Sequence, residues 1–176
     1  MANPPDPARD LTEARKSAFA PFVFADTRVL ILGTLPGEAS LAAGRYYAHP
    51  QNQFWRLTGA VIGREDLASL EYETRRDALR AHGIGLWDTI ASAVRQGSLD
   101  AAIREVEHAP LAELVAGLPA LRAVAFNGGT SARIGRKLLT DATVRLVDLP
   151  SSSPAYAAMR FEAKRERWLE LREFLS

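Results

Sequence analysis

The run Val29-Leu30-Ile31-Leu32, closed by Gly33, constrains the fold more than any other stretch of this chain. It is too short for an ordinary helix, and apolar side chains fall on both faces of whatever it forms. That pattern belongs to a strand buried on both sides, as in parallel sheets sandwiched between helices. Gly33-Thr34-Leu35-Pro36-Gly37 follows, and two glycines with a proline favour an abrupt turn. After the turn come Tyr46 and Tyr47, a His49-Pro50 pair and Asn52, and then Gln53-Phe54-Trp55 begins a helical pattern.

Three more strand-like runs occupy residues 84–90, 121–126 and 144–149, each ending in turn formers or polar groups. Between them the periodicity predicts helices. Phe54, Leu57, Val61 and Ile62 mark one ending near Gly63, and a second covers 70–81. Ser98 can cap a short helix through Val106, Pro110 can open another through Leu118, and Thr130 can cap one to Leu139. Ala158, Phe161, Trp168, Leu171 and Leu175 share one stripe of a C-terminal helix. Strands alternating with helices imply right-handed crossovers. The expected fold is therefore α/β, a three-layer α/β/α sandwich around a mainly parallel four-stranded sheet. Residues 1–20, with prolines and both charge signs, are expected to be a poorly ordered lead-in to a single domain over 21–176. Ligands of such sheets bind at the carboxyl ends of the strands. Gly33–Gly37, Trp87-Asp88, Asn127-Gly128-Gly129 and Pro150–Pro154 stand at those ends, so the site is expected there.

Composition narrows the function. Apolar residues make up 47% and charged ones 24%, as in ordinary globular proteins. No apolar run approaches the ~20 residues that span a bilayer, and the N-terminus has no apolar signal core. The absence of cysteine rules out disulfides and thiolate metal sites and fits a cytoplasmic location. His49, His82 and His108 lie far apart, so neither a metal nor a cofactor is expected. Net charge is only +1, so a nucleic-acid partner would need a local basic face. Arg160, Lys164, Arg165 and Arg167 are candidates for backbone contacts, against the plainer reading of a solvated helix face.

Each site candidate also has a structural reading. The Gly33–Gly37 turn lacks the Lys-Ser/Thr ending of a P-loop and the Gly-x-Gly-x-x-Gly dinucleotide pattern. Tyr46 and Tyr47 can be core aromatics or a surface on which a base stacks. Asn52 can cap the following helix or hold a water against a sugar carbon, and His49-Pro50 reads as the turn that aims it. Asn127 before two glycines is either a turn residue or a reader of a base edge, offering a donor and an acceptor side by side. Ser151, Ser152 and Ser153 are loop chemistry or phosphate donors. Asp88 is a strand-end carboxylate satisfied by a neighbouring helix, or a base that activates water.

Together these residues resemble the uracil-DNA glycosylase superfamily. Gly33–Gly37 is similar to its first motif. Tyr47-Ala48-His49-Pro50-Gln51-Asn52-Gln53-Phe54-Trp55 resembles the Phe-Ala-His-Pro-x-Asn-x-Phe-Trp run of the mismatch-specific members. Phe126-Asn127-Gly128 looks like the base-reading motif, and Leu149–Pro154 looks like the last motif, whose loop enters the minor groove. Leu-Pro-Gly-x-x-Ser-Leu at 35–41 and Gly-Leu-Trp-Asp at 85–88 place the nearest likeness in the hypoxanthine-DNA (deoxyinosine) glycosylase branch. Mismatch-specific relatives carry a catalytic Asn where this chain has Leu35; the hypoxanthine branch uses the Asn of the His-Pro-x-Asn run, here Asn52. The resemblance implies a monofunctional DNA glycosylase for DNA containing a deaminated base, most simply a monomer. It also implies roles. Asn52 is the catalytic residue, while Thr34, Leu35, Tyr47, Trp87 and Asn127 bind the base, with His49 and Asp88 as further site candidates. Ser151, Ser152, Ser153, Pro154, Ala155 and Tyr156 contact DNA. A non-catalytic DNA- or nucleotide-binding module and a hydrolase of free nucleosides are the alternatives.

Overall fold

The structure, a computed structural model, describes residues 15–176. Its centre is a parallel four-stranded sheet built from β2 (Val29–Gly33), β3 (Ile84–Asp88), β6 (Ala123–Asn127) and β7 (Arg145–Leu149), in the order β3-β2-β6-β7. Side chains alternate across β2 as the two-residue period of a strand requires. Val29 and Ile31 pack with α2 (Phe54–Ile62), α3 (Tyr72–Ala81) and α6 (Phe161–Leu169), through Phe54, Leu57, Leu79 and Trp168. Leu30 and Leu32 pack on the other face with α4 (Leu111–Ala116) and α5 (Gly129–Leu138), through Leu111 and Ala132. Both faces are covered, as the three-layer expectation required. A short helix, α1 (Glu38–Ala43), follows the first turn and was not expected from the periodicity.

Helix α5 lies so close to the sheet that an ideal Cβ at Gly135 would stand 2.2 Å from a ring carbon of Phe126. Gly135→Ala is expected to destabilise by about 1–3 kcal/mol through overpacking, despite the higher helix propensity of alanine. Thermal denaturation should show the midpoint falling by several degrees; an unchanged midpoint would mean that the two elements separate at little cost.

Four expectations need correction. The strand over 84–90 breaks after Asp88. The chain leaves the central sheet there and enters β4 (Ile90–Val94), the middle strand of a second, antiparallel sheet. Residues 98–106 do not form a helix. A 3-10 turn at Asp100–Ala102 leads into β5 (Arg104–His108), because β4 offers an open edge that this segment fills. Within the expected N-terminal lead-in, Arg15–Ser17 forms β1 on the opposite edge of β4. Phe19 stacks edge-on against Tyr46 at 5.1 Å. Residues 1–14 lie outside the described residues. Thr130 is no cap either: the N-cap of α5 is Gly128, whose φ of 102° suits glycine.

Strand order fixes where a ligand can sit. From β2 the chain moves to β3 on one side, whereas from β6 it moves to β7 on the other. The crevice between those two strand ends is the switch point at which such sheets bind ligands. It is bounded by Gly33 and Thr34 on one strand end and by Asn127 and Gly128 on the other.

Candidate active site

A cavity of about 600 Å³ opens at this switch point, within the range of ~300–1,000 Å³ common for small-molecule sites. Six stretches distant in sequence meet there: the turn after β2, the loop carrying Tyr47 and Asn52, Asp88 at the end of β3, residues 98–100, the end of β6, and the Ser151–Tyr156 loop. Residues 98–100 were not expected at the site.

The first turn is held from outside. Arg95, only 1% exposed, donates to the carbonyl oxygens of Leu35 and Pro36. Thr89 and Ile90 donate to the carbonyls of Gly33 and Thr34 at 2.9 and 3.1 Å. In a trans peptide the N–H points opposite to the C=O. The amides of Thr34, Leu35 and Gly37 are therefore turned away from these donors. Arg95 was not singled out in the sequence; its one signal was a cation at the end of the apolar run 90–94.

Tyr47 sits at φ 51°, a conformation uncommon outside glycine. It is held there by its environment. Its ring stacks on Phe54 at 3.7 Å and 11°, its carbonyl accepts from the Trp55 indole at 3.2 Å, and its hydroxyl accepts from Asn127 Nδ2 at 3.3 Å. Burial pushes the phenol pKa up, so Tyr47 is a neutral ring. Asn52, half-buried, follows a turn in which its N–H donates to the His49 carbonyl at 3.0 Å. Its Oδ1 accepts from the Phe54 amide at 3.0 Å, which anchors the side chain, while Nδ2 has no partner among the described residues. One end of the amide is thus fixed on the first residue of α2, whose N-cap is Gln53, and the other end is without a partner among the described residues.

Asn127 differs from expectation. Its Nδ2 donates to Ser152 Oγ at 2.8 Å as well as to Tyr47, and its Oδ1 accepts from the Ser152 amide at 2.9 Å. The donor and acceptor expected to face a base edge are thus engaged within the protein. Ser152, 1% exposed, also accepts from the Gln53 amide at 3.0 Å through its carbonyl, so it is a knot between three segments and not a free phosphate donor. Ser151 and Ser153 are half-buried, with Pro154, Ala155 and Tyr156 exposed at the rim. Trp87 does not line the cavity. Its indole packs into the core beneath the opposite sheet face and donates to the Phe19 carbonyl at 2.8 Å.

Asp88 pairs in register with Gly33, where a Cβ would come within 2.7 Å of its Oδ1 and 3.2 Å of the Tyr47 hydroxyl. The missing side chain makes room for both groups on the cavity floor. Asp88 is 4% exposed, and its Oδ2 has no hydrogen-bond partner among the described residues. No neighbouring helix satisfies it, contrary to the structural reading. An unsatisfied buried acceptor costs about 1–3 kcal/mol. Burial, reinforced by the Asp100 charge and opposed by Arg95, pushes the Asp88 pKa up to about 7.

Of the four cations suggested for DNA backbone contact, Lys164 is buried. It donates to Gln53 Oε1 at 3.0 Å and to the Tyr156 carbonyl at 2.9 Å, tying the last loop to the Asn52 segment. Arg165 pairs with Glu65 at 2.9 Å and Arg167 with Glu170 at 3.3 Å, while Arg160 is exposed. Among the described residues no cluster of His, Cys, Asp and Glu could hold a metal, and no helix is long and apolar enough to cross a membrane.

Comparison with known proteins agrees with this geometry. The model of the uracil DNA glycosylase superfamily matches residues 20–172. A hypoxanthine DNA glycosylase of Methanosarcina barkeri is 43% identical over 117 residues, 66% of this chain and 73% of the relative. One from Methanosarcina acetivorans is 37% identical over 151 residues, 86% of this chain and 93% of the relative. The fold is shared with a solution NMR structure from Methanosarcina acetivorans, provisionally assigned as a uracil DNA glycosylase. That match has a TM-score of 0.80 and 34% identity, covering 91% of this chain and 98% of the other. A family match over nearly all the described residues, together with four motif segments gathered at one cavity, leads to one conclusion: this chain belongs to the uracil DNA glycosylase superfamily.

Proposed function

We propose that the protein is a monofunctional DNA glycosylase that everts a deaminated base and hydrolyses its N-glycosidic bond, in base excision repair. Hypoxanthine is the first substrate, with uracil and xanthine as further ones. The observation that carries this reading is the Asn52 amide, anchored through Oδ1 with Nδ2 free, on the same cavity as Tyr47 and the turn amides. The names borne by relatives 37–43% identical to this chain support hypoxanthine.

A base within a duplex is out of reach, so the nucleotide must rotate into the cavity, at least cost where it is already mispaired. The base enters first and stacks on the Tyr47 face turned away from Phe54. The sugar stays near the mouth, beside Asn52. There the amide holds a water against the anomeric carbon through Nδ2, with a second lone pair on Oδ1 able to accept from that water. An amide is no general base. Positioning and charge stabilisation supply the acceleration as the bond breaks toward an oxocarbenium-like sugar. The amides of Thr34 and Leu35 stabilise negative charge developing on the leaving base. Asn127 acts as a positioning residue that joins Tyr47 to the last loop. Ser151 and Ser153 hydroxyls meet phosphates, and Tyr156, 39% exposed at the rim, enters the gap left in the stack. No lysine lines the cavity, which supports hydrolysis without a Schiff base. The protein is proposed to work as a monomer in the cytoplasm, without a metal.

Incubation with a duplex bearing one hypoxanthine should leave an abasic site cleaved by alkali and not by the protein itself. Binding without abasic sites would establish the non-catalytic module. Turnover of free deoxyinosine at a rate matching the duplex would establish a nucleoside hydrolase.

A further inference from the structure

Depth within the cavity separates the polar groups that line it. Asn52 is half-buried near the mouth, whereas Asp88 is almost wholly buried on the floor beside Gly33 and the Tyr47 hydroxyl. An everted nucleotide remains tied to the strand by its sugar, so its glycosidic bond stays near the mouth. The edge farthest from that bond goes deepest. In a purine this is the N1–C6 edge, and in a pyrimidine the N3–C4 edge. The group expected from the sequence to meet that edge, the Asn127 amide, has its donors and acceptor engaged by Ser152 and Tyr47. Asp88 is a buried carboxyl lining the same cavity: its Oδ2 is sealed from solvent without a partner, while its Oδ1, beside Gly33 and the Tyr47 hydroxyl, accepts no hydrogen bond among the described residues.

We infer that Asp88 reads the far edge of the everted base, its carboxylate accepting the lactam N–H that deamination creates. The inference rests on the glycosylase reading and names its specificity residue. Adenine has a lone pair at N1 and cytosine one at N3; hypoxanthine and uracil have an N–H at those positions. A carboxylate accepts from that N–H and repels the lone pair. Guanine carries the same N–H as hypoxanthine, so this contact separates hypoxanthine from adenine and does not by itself turn guanine away. The same placement keeps Asp88 away from the sugar carbon, which leaves the water to Asn52. Around the carboxyl stand Tyr46 and Tyr47, Arg95 at the end of β4, and Asp100, whose carboxylate accepts from the Thr34 hydroxyl at 3.1 Å. Neither Arg95 nor Asp100 hydrogen-bonds to Asp88, so the carboxyl is free to take or release a proton with its ligand. Burial raises its pKa to about 7. Below that pH the protonated carboxyl can donate to a lone pair, and the discrimination relaxes.

The test is equilibrium binding to duplexes that carry a 2′-fluoroarabino nucleotide, which resists hydrolysis because the fluorine destabilises an oxocarbenium-like sugar. One duplex bears hypoxanthine and the other unsubstituted purine, which has the N1 lone pair, opposite the same base. At about pH 8 the wild type should prefer hypoxanthine by roughly tenfold or more, as for a charged hydrogen bond replaced by a lone-pair clash. Asp88→Asn, whose amide can present either group, should bring the two within about threefold. An undiminished preference in Asp88→Asn overturns the inference. A second arm needs no variant: the wild-type preference should shrink between about pH 8 and pH 6. A preference constant over that range overturns the inference as well. Wild type that releases no hypoxanthine from cleavable duplex would sink the glycosylase reading itself. An active wild type with an Asp88-independent preference sinks only the specificity role.

Discussion

Asn52→Ala is expected to lower single-turnover release of hypoxanthine from a duplex by about a hundredfold or more, the scale of losing one oriented polar group at a reacting centre. The change also removes the acceptor for the Phe54 amide. Losing such an acceptor at the start of a helix costs about 0.5–2 kcal/mol, so the melting temperature should fall by only a few degrees. The two effects separate in a second variant. Asn52→Ser keeps a short oxygen acceptor able to hold the Phe54 amide but lacks the amide N–H that reaches the water. Its stability should return toward wild type while its rate stays as low as that of the alanine variant. Recovery of the rate in Asn52→Ser would reduce Asn52 to an anchor for the start of α2 and leave the hydrolytic water without a partner on that wall. Asp88 is then the nearest alternative, and its place on the cavity floor argues against it.

The position of the site could be read in the sequence because it depends on punctuation. Glycines and prolines at 33–37, 128–129 and 150–154 end the strands, and topology brings strand ends together whatever the side chains do. Tyr47 and Asn52 reach the cavity for the same reason. Directions of individual side chains were less legible. Trp87 and Asp88 are neighbours on one strand, and successive residues point to opposite faces, so they could not both meet the same base. Only the structure tells that Asp88 faces the cavity and Trp87 the core. Burial of polar groups was also hidden. Lys164 was read as a backbone contact or part of a solvated helix face and Arg95 was not singled out, yet each is 1% exposed because carbonyl oxygens from other segments converge on it. Sequence-local patterns carry no trace of such partners. The antiparallel sheet was missed through ambiguity of a different kind. Residues 90–94 continue the apolar character of β3, and Ser98 looks like a helix cap, so nothing local marks the corner at Thr89. That corner is set by pairing, through the Thr89 amide on Gly33 and the Ala109 amide on Thr89.

Asp88→Asn is expected to stabilise the free protein above neutral pH, by an amount that disappears in acid. The folded-state pKa of Asp88 is about 7 against 3.8 for the unreacted side chain, because burial disfavours the charged form. Between those values the folded protein holds a proton that the unfolded chain has released. Stability attributable to this group is therefore fully present below about pH 4 and is lost as pH rises through about 7. At 1.36 kcal/mol per unit, a shift of this size corresponds to roughly 2–4 kcal/mol, allowing for relaxation of the site. The uncharged amide has no such loss. Denaturant unfolding of both proteins between about pH 4 and pH 8 should show the difference favouring the variant as pH rises, then levelling off. A difference that stayed flat would place the carboxyl in a polar, ionised environment at every pH tested. A gain on removing the charge is the pattern expected of a group kept for its ligand: buried without a partner, it burdens the empty site, and the everted base supplies the N–H that the protein withholds.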